Sequence, residues 1–399
     1  MFAMPAFVVA LLIQILFLVE GVACGETEVP VIVNDDGFSH FHSGRYKDKA
    51  TLKNALKEAY SNGDVEIFEW CLGPCGVFTY GTKIGDVLGT GIEEFPRRGD
   101  KLAAETVHRM IENGEDPLRV VVDTCHEIGI KAYASFRMNS VYPPPYEDLF
   151  NGTWFKERYQ LRCLDREGKT TWKFSYAYPE LRAFRLSIIK EAVSYGVDGL
   201  NLDFVRHPPF FGYEPVLAEP FEKIYGIDPK TLPEDDPRWF DFRAPIMTDF
   251  VRNCRKTLDE AGSGKGLSVR VDADEWYGQA LDVPRWIREG MVDIFVVTQH
   301  GLGGFAIDLK PFVEMCEGSE CRIFFGEEHS TAGHDLTPEE DKRLARGEKL
   351  ELEQGNLSLE EYRSRARKWV EEGADGVHLF NAPLSPEVYG AISGALQQE

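Results

Sequence analysis

Acidic and basic side chains stand at the ends of short apolar segments in this sequence. In DGLNLDFVRHPPFF, Asp203 interrupts an apolar run, and Arg206 and His207 follow it closely. In LSVRVDA, Arg270 and Asp272 occupy similar places. Cleavage of a glycosidic bond requires one carboxylic acid to protonate the leaving oxygen and one carboxylate to attack or to activate water. The sequence therefore contains the residue types for acid–base chemistry on sugars, provided that the fold brings them together.

Eight β-rich segments recur along the chain, and most follow a glycine that ends an amphipathic stretch. Helices commonly end in a left-handed residue, a conformation that glycine adopts easily. Strands that alternate with helices imply parallel strands, and eight such units predict a closed (β/α)8 TIM barrel of the α/β class. A doubly wound open sheet is the alternative, but no GxGxxG turn follows the first segment. The segments begin at Val29 and after Gly63, Gly129, Gly196, Gly266, Gly290, Gly318 and Gly373.

The carboxyl ends of the strands in such a barrel share one face, where substrate sites form. Because side chains alternate along a strand, we expect Asn201, Asp203 and Val205 to point to the barrel axis, together with Arg270 and Asp272. Polar groups from distant parts of the chain would then meet at this face. The longest insertions follow strands and would crowd onto it as well; they span residues 74–99, 140–180, 207–242 and 330–357.

Two carboxylates are expected to be catalytic. Asp203 follows the fourth strand, and glycosidases on this fold often place the second carboxylate after the seventh, which favours Glu327. Asp272, after the fifth strand, is an alternative partner. Glu328 also stays open, because a shift of one residue reverses the direction of a side chain in a strand.

Further polar and aromatic side chains at the strand ends are expected to bind the substrate. Arginines suit sugar carboxylates and hydroxyls, or hold catalytic carboxylates ionised. His207 either contacts substrate or has a structural role. The expected substrate-binding residues are Asp36, Glu69, Trp70, Arg137, Asn139, Arg206, His207, Arg270, Gln299, His300, Glu328 and Asn381.

The N-terminus has the features of a secretory signal peptide. Residues 1–23 contain the apolar run AFVVALLIQILFLV, and the small residues Gly21 and Ala23 precede Cys24. We therefore expect a secreted or periplasmic protein; a lipid anchor at Cys24 is an alternative. Nothing divides the remainder, so residues 29–397 are predicted to form a single domain.

The charge of the chain limits its partners. It contains 66 acidic and 44 basic residues, a net charge of -22. Nucleic acid is an unsuitable partner, because phosphate backbones require a concentrated basic stripe. A few arginines can still hold one acidic group, so uronic and sulfated sugars remain candidate ligands. No cofactor is expected, and the sequence does not indicate an oligomeric state.

Several segments together resemble the glycosyl-hydrolase-like family 10 group, secreted TIM-barrel proteins placed with glycoside hydrolases. They are VNDDG, SFRMN, LDFVRHPPFF, VRVDADEW and GADGVHLFN. The resemblance extends over roughly residues 30–395, with the fourth-strand segment as its most specific part. It implies a barrel, export and a carbohydrate substrate, and it assigns no catalytic roles.

Two other functions remain open. NDDGFSHFH offers Asp35, Asp36, His40 and His42, which suggest a metal-dependent hydrolase of glycan substituents. A non-catalytic carbohydrate-binding envelope protein could keep the same barrel. A glycoside hydrolase acting on a poly- or oligosaccharide is the favoured prediction.

The cysteines of CLGPC and CEGSEC are spaced for local disulfides in an oxidising compartment.

Overall fold

Eight parallel β-strands close into a barrel, as the repeats predict. Each strand pairs with its neighbours in sequence, and the last strand closes against the first, with Val377 beside Val31. The predicted (β/α)8 TIM barrel is thereby confirmed. The computed structural model describes residues 28–299, 307–328, 330–332, 336–351 and 355–397. The barrel strands are β1 (Val31–Asp35), β2 (Ile67–Cys71), β3 (Lys131–Arg137), β4 (Gly199–Asp203), β5 (Gly266–Asp272), β6 (Ile294–Thr298), β7 (Arg322–Glu328) and β8 (Gly376–Phe380).

Helices connect the strands, and their bounds follow local sequence signals. The helix that precedes β3 begins where Asp116 accepts hydrogen bonds from the backbone N–H groups of Leu118 and Arg119, and it ends at Gly129, which has a φ of 83°. A glycine suits this place because the left-handed region is strained for other residues. The helices of the described part are α1 (Ser39–His42), α2 (Lys49–Tyr60), α3 (Arg98–Glu112), α4 (Pro117–Ile128), α5 (Glu147–Phe150), α6 (Thr153–Lys156), α7 (Pro179–Val193), α8 (Pro215–Tyr225), α9 (Pro237–Ala261), α10 (Val283–Arg288), α11 (Lys310–Cys316), α12 (Pro338–Ala345), α13 (Leu359–Glu371) and α14 (Pro386–Ser393).

The long insertions follow β2, β3, β4 and β7, as expected. Three of them contain a small two-stranded sheet. The insertion after β3 also contains α5 and α6, and the insertion after β4 contains α8. These insertions form the surroundings of the barrel mouth. The strand pairs are Val77–Phe78 with Asp86–Val87, Arg162–Leu164 with Thr170–Phe174, and Ser330–Ala332 with Gly355–Asn356.

The barrel interior is layered. Near the N-terminal ends of the strands, apolar side chains such as Ile67, Ile294 and Phe324 pack into a small buried cluster. Above them lies a chain of hydrogen-bonded polar side chains, which we term the interior polar layer. Its members are Asn34, Glu69, Ser135, Asn201, Ser268 and His378. All six are at most 2% exposed, so this layer is part of the core rather than a surface that a ligand can reach.

The predicted signal peptide and Cys24 lie outside the described residues. Among the helices that the structure describes, none has the length and apolar character needed to cross a membrane. The cysteines of the described part are free thiols. The thiol of Cys71 donates a hydrogen bond to the carbonyl of Gly73, and the sulfur of Cys75 accepts one from the guanidinium of Arg185.

Candidate active site

Arg270 joins two carboxylates at the mouth of the barrel. Its Nη1 donates to Asp203 Oδ1 at 3.3 Å, and its Nη2 donates to Glu328 Oε1 at 3.2 Å. Asp203 ends β4 and Glu328 ends β7, so two strands that are not neighbours in the barrel supply them. Because one planar guanidinium spans both hydrogen bonds, the two bonded oxygens lie within about 9 Å of each other. We refer to Asp203 and Glu328 as the carboxylate pair.

The two carboxylates differ in burial. The side chain of Asp203 is 1% exposed and that of Glu328 is 14% exposed. Asp203 Oδ1 also accepts a hydrogen bond from the backbone N–H of Val205 at 3.0 Å. Asp203 Oδ2 has no hydrogen-bond partner among the described residues. A buried oxygen without a partner is uncommon, because its desolvation is not compensated.

Three guanidinium groups surround the ring of Phe380. The Cζ atom of Arg270 lies 4.0 Å from the ring centroid, and those of Arg137 and Arg206 lie 5.5 Å from it. Cations are attracted to the face of an aromatic ring at such distances. Phe380 thereby gathers the arginines that the sequence predicts at separate strand ends.

A cleft of about 370 Å³ adjoins this group, and we term it the mouth cleft. Four residues expected to bind substrate line it: Asp36, Arg137, Arg206 and Asn381. Arg137 Nη2 donates to Asn381 Oδ1 at 3.4 Å. Since Arg137 and Arg206 also face Phe380, they connect the mouth cleft with the carboxylate pair.

Aromatic side chains form a wall of the mouth cleft. They come from the loops after β1 and β3 and contact one another, with Phe150 packed against Phe38, Tyr142 and Tyr146. Rings of this kind offer flat apolar faces on which sugar rings can stack. Arg97 lines the cleft as well, and it forms a forked ion pair with Asp100.

Electrostatic effects at the mouth cleft act on Asp36 and Arg206. Burial acts to raise the pKa of Asp36, but Arg137 and hydrogen bonds from Ser39 and Phe38 bring it below its ordinary value. Burial lowers the pKa of Arg206, and the positive charge of Arg137 lowers it further. The two guanidiniums are thus close enough to repel each other.

Two residues at this mouth have a left-handed backbone. His207 has a φ of 64° and Asn381 a φ of 48°. His and Asn are among the side chains that tolerate this region best. The turn at His207 brings its ring to 5.1 Å from the ring of Tyr142, between centroids. Strained positions cluster at functional sites, which agrees with the location of the cleft.

Glu327, the predicted catalytic partner of Asp203, does not face the barrel mouth, which corrects that prediction. Its side chain points to the helix layer, where Trp369 Nε1 donates to Oε1 at 2.9 Å and Arg365 Nη1 donates to Oε2 at 3.1 Å. Burial raises the pKa of Glu327 to about 7, although both of these donors act to lower it. Because strand residues alternate, Glu328 is the residue of this pair that faces the axis.

Two other predicted substrate contacts lie in the core. Glu69 is 0% exposed, and its Oε2 is hydrogen-bonded to His378 Nε2 at 2.9 Å within the interior polar layer. Trp70 is also 0% exposed and packs edge-on against Phe41. Glu69 lies level with Asn34 in the interior polar layer, and Trp70, the next residue on the strand, points outward to Phe41 and Tyr46, so neither side chain reaches the cleft.

The remaining predicted residues stabilise loops. Asn139 is fully buried and donates to the carbonyls of Phe174 and Pro209. Asp272 Oδ1 accepts hydrogen bonds from the backbone N–H groups of Asp274 and Glu275, which shape the turn after β5. Gln299 donates to Asp274 across this turn at 3.0 Å. His300 lies outside the described residues.

The segment NDDGFSHFH directs its polar side chains to different places. Asp35 Oδ2 accepts a hydrogen bond from Tyr46, Asp36 binds the N-terminus of α1 through Ser39, and His42 faces Asp100 at 3.5 Å. In the part of the chain that the structure describes, no three His, Cys, Asp or Glu side chains are grouped to hold a metal ion.

Sequence reasoning missed Phe380 and most of the aromatic wall. The alternation that places His378 inside the barrel also places Phe380 there, so this ring was within reach of the pattern. Phe38 and Tyr146 lie on loops, and Phe150 ends the four-residue helix α5, so no periodicity indicates the direction of these side chains.

Solved structures of known glycosidases share this fold at low sequence identity. Alpha-L-fucosidase isoenzyme 2 from Paenibacillus thiaminolyticus aligns with a TM-score of 0.57 and 14% identity over 92% of this chain and 48% of its own. Beta-galactosidase from the psychrophilic Marinomonas ef1 aligns with a TM-score of 0.51 and 10% identity over 93% of this chain and 59% of its own. The chain thus spans about half the length of these enzymes, and the likeness concerns the barrel fold.

A comparison with curated proteins finds no match. A family model described as glycosyl hydrolase-like 10 matches residues 94–304, more than half of the chain. The matched region runs from α3 through β6 and includes Arg137, Asp203 and Arg270. The chain therefore belongs to the glycosyl hydrolase-like 10 family.

Proposed function

We propose that this protein is a glycoside hydrolase that cleaves a poly- or oligosaccharide at the mouth cleft. The observation that carries the proposal is the carboxylate pair on Arg270, at the carboxyl ends of the strands in a glycosyl hydrolase-like barrel. Sites on this fold form at that face. The names of the structural neighbours, a fucosidase and a galactosidase, agree with sugar hydrolysis.

The two carboxylates take different roles in this mechanism. Asp203 attacks the anomeric carbon or activates water, because two donors fix its Oδ1 while Oδ2 has no partner among the described residues. Glu328 protonates the leaving oxygen, since it is the more exposed of the two. Arg270 positions both groups.

The separation of the carboxylate pair is compatible with either stereochemical outcome. Retaining enzymes hold their carboxylates about 5–5.5 Å apart and inverting enzymes about 6.5–9.5 Å apart. NMR of the first-formed product distinguishes the two, because retention and inversion give opposite anomers.

The burial of Asp203 favours a second candidate, carbohydrate binding without hydrolysis. A carboxylate that is 1% exposed and paired with Arg270 must become accessible before it can react. In the binding-only alternative the ion pair is structural, and the mouth cleft holds a glycan without cleaving it.

A screen against poly- and oligosaccharides tests the proposal. We expect the wild-type protein to release reducing ends from at least one glycan, and Asp203→Asn and Glu328→Gln to abolish that release. Glycan binding with no cleavage anywhere in the panel would establish the binding-only alternative. Equal turnover by wild type and both variants would refute the assignment of the pair. Residues 1–23 predict export, so substrates of the periplasm and the cell exterior belong in the panel.

A further inference from the structure

Two arginines of the mouth cleft have hydrogen-bond donors to spare. Among the described residues, neither Arg137 nor Arg206 has a carboxylate oxygen within 4.0 Å, and Arg137 donates to a neutral partner, Asn381. The Nε atom of Arg137 is buried without a hydrogen-bond partner in the described part of the chain. A guanidinium carries five N–H donors and cannot be neutralised by deprotonation. Both side chains therefore present unused donors and positive charge.

Other arginines near the mouth are satisfied by acids. Arg97 holds Asp100 in a forked pair, and Arg270 holds Asp203 and Glu328. The pair formed by Arg137 and Arg206 differs, because like charges face each other in a partly buried cleft. Burying cations without a counter-charge is unfavourable, and a ligand anion between them would relieve that cost.

The acid that lines the cleft does not supply this counter-charge through a close ion pair. The carboxylate of Asp36 is engaged by the backbone N–H groups of Phe38 and Ser39 and by the Ser39 hydroxyl. It therefore serves the N-terminus of α1. Its negative charge acts on Arg137 from a distance, and the guanidinium donors remain available to a ligand.

From these observations we infer that the mouth cleft recognises a sugar unit that bears an anionic group, either a carboxylate or a sulfate ester. This inference rests on the proposed function, because it names the substrate class of the same site. Arginine forks bind planar carboxylates and sulfate oxygens with paired, charge-assisted hydrogen bonds. Since Arg137 and Arg206 both face Phe380 beside Arg270, the anionic group would lie on a sugar close to the bond that is cleaved.

The overall charge of the protein makes this recognition local. A chain with a net charge of -22 repels polyanions at long range. Binding of an acidic glycan therefore cannot arise from a general basic surface and requires a built site such as this cleft. Because the protein as a whole is acidic, non-specific electrostatic attraction would not explain a preference for acidic polymers in the experiment.

Affinity gel electrophoresis with paired polymers tests the inference. Uronate polymers (polygalacturonate, alginate and hyaluronate) are compared with their carboxyl-reduced forms, and sulfated polymers (carrageenan, fucoidan and chondroitin sulfate) with their desulfated forms. We expect at least one acidic polymer to bind at least about tenfold more tightly than its neutral form. The two sets of pairs show whether the carboxylate or the sulfate is recognised.

Three variants accompany the polymers. Arg137→Gln and Arg206→Gln are expected to lose the preference for the acidic form, with circular dichroism confirming that they fold. Arg252→Gln is the matched control, because Arg252 is half-exposed at the opposite end of the barrel, and it should keep the preference. A preference that persists in both cleft variants would overturn the inference.

The outcomes separate this inference from the proposed function. Cleavage of neutral glycans with no preference for charge would overturn the inference and leave the hydrolase standing. Charge-dependent binding without cleavage would support the inference and refute the hydrolase. Absence of binding to every acidic polymer would also overturn the inference.

Discussion

The carboxylates of Asp203 and Glu328 accept hydrogen bonds from the same guanidinium group. Their shared partner, Arg270, is 1% exposed, so water screens these interactions poorly. Arg270 therefore holds the two acids at fixed positions relative to each other. The arrangement leads to predictions for the pair itself and for the groups around it.

The neighbours Glu327 and Glu328 provide a matched comparison for the catalytic assignment. Glu328→Gln removes a proton donor and is expected to lower kcat by at least about a hundredfold, the scale of general acid catalysis. Glu327→Gln alters a group in the helix layer, so kcat/KM should stay near the wild-type value. Steady-state rates on the glycan found by screening measure both. Loss of activity in Glu327→Gln alone would contradict the assignment.

The buried carboxyl of Glu327 makes stability depend on pH. Its pKa is raised from 4.5 to about 7, mainly by burial, so the folded state favours the protonated form. Its stabilising effect is complete below pH 4.5 and is lost as the pH rises through about 7. The loss amounts to about 3 kcal/mol of unfolding free energy. Urea unfolding from pH 4.5 to 8 should show this decline in the wild type relative to Glu327→Gln; parallel curves would contradict it.

The pair of Glu69 and His378 is predicted to stabilise the fold without touching substrate. His378→Leu leaves the Glu69 carboxylate buried without its ring partner, which should lower the unfolding free energy by about 3–5 kcal/mol. The double variant Glu69→Gln/His378→Leu should lose less, since no unpaired charge remains. At a temperature where both variants are folded, kcat/KM should match the wild type. Lost activity at unchanged stability would instead place Glu69 in the active site.

Phe380 is predicted to hold the three arginines of the mouth. Phe380→Leu keeps an apolar side chain but removes the aromatic face over which Arg270 lies at 4.0 Å. Each cation–π contact contributes about 0.5–2 kcal/mol, so we expect glycan affinity to fall by about tenfold. Phe380→Tyr retains the ring and serves as the control. Equal affinity in the leucine variant would show that the ring does not organise the site.

Cys316 and Cys321 are predicted to form a disulfide under oxidising conditions. The two thiols are hydrogen-bonded to each other, and this contact lowers the pKa of Cys316. Closing so short a loop stabilises a protein by about 2 kcal/mol in the chain-entropy model. Mass spectrometry after treatment with oxidised glutathione should show the loss of two hydrogens, which Cys316→Ser should abolish. Oxidation at other cysteines alone would contradict this pairing.

Much of the site followed from alternation along the strands. The pattern placed Asn201 and Asp203 on the inner side of β4. In the structure Asn201 belongs to the interior polar layer, and Asp203 is hydrogen-bonded to Arg270. It could not fix the direction at the end of β7, because a strand that ends in two glutamates presents one to each side. Only the contacts of Glu327 with Trp369 and Arg365 decided which one faced away.

The sequence by itself determined the barrel, because glycine-ended helices and eight β-rich segments are local signals that each part of the chain carries independently. It also determined that charged groups would collect at the strand ends. Tertiary structure alone decided that Arg270 would join acids from β4 and β7, and that Trp70 would be buried. These outcomes depend on contacts between segments that are distant in sequence, and no local pattern of residues specifies such contacts.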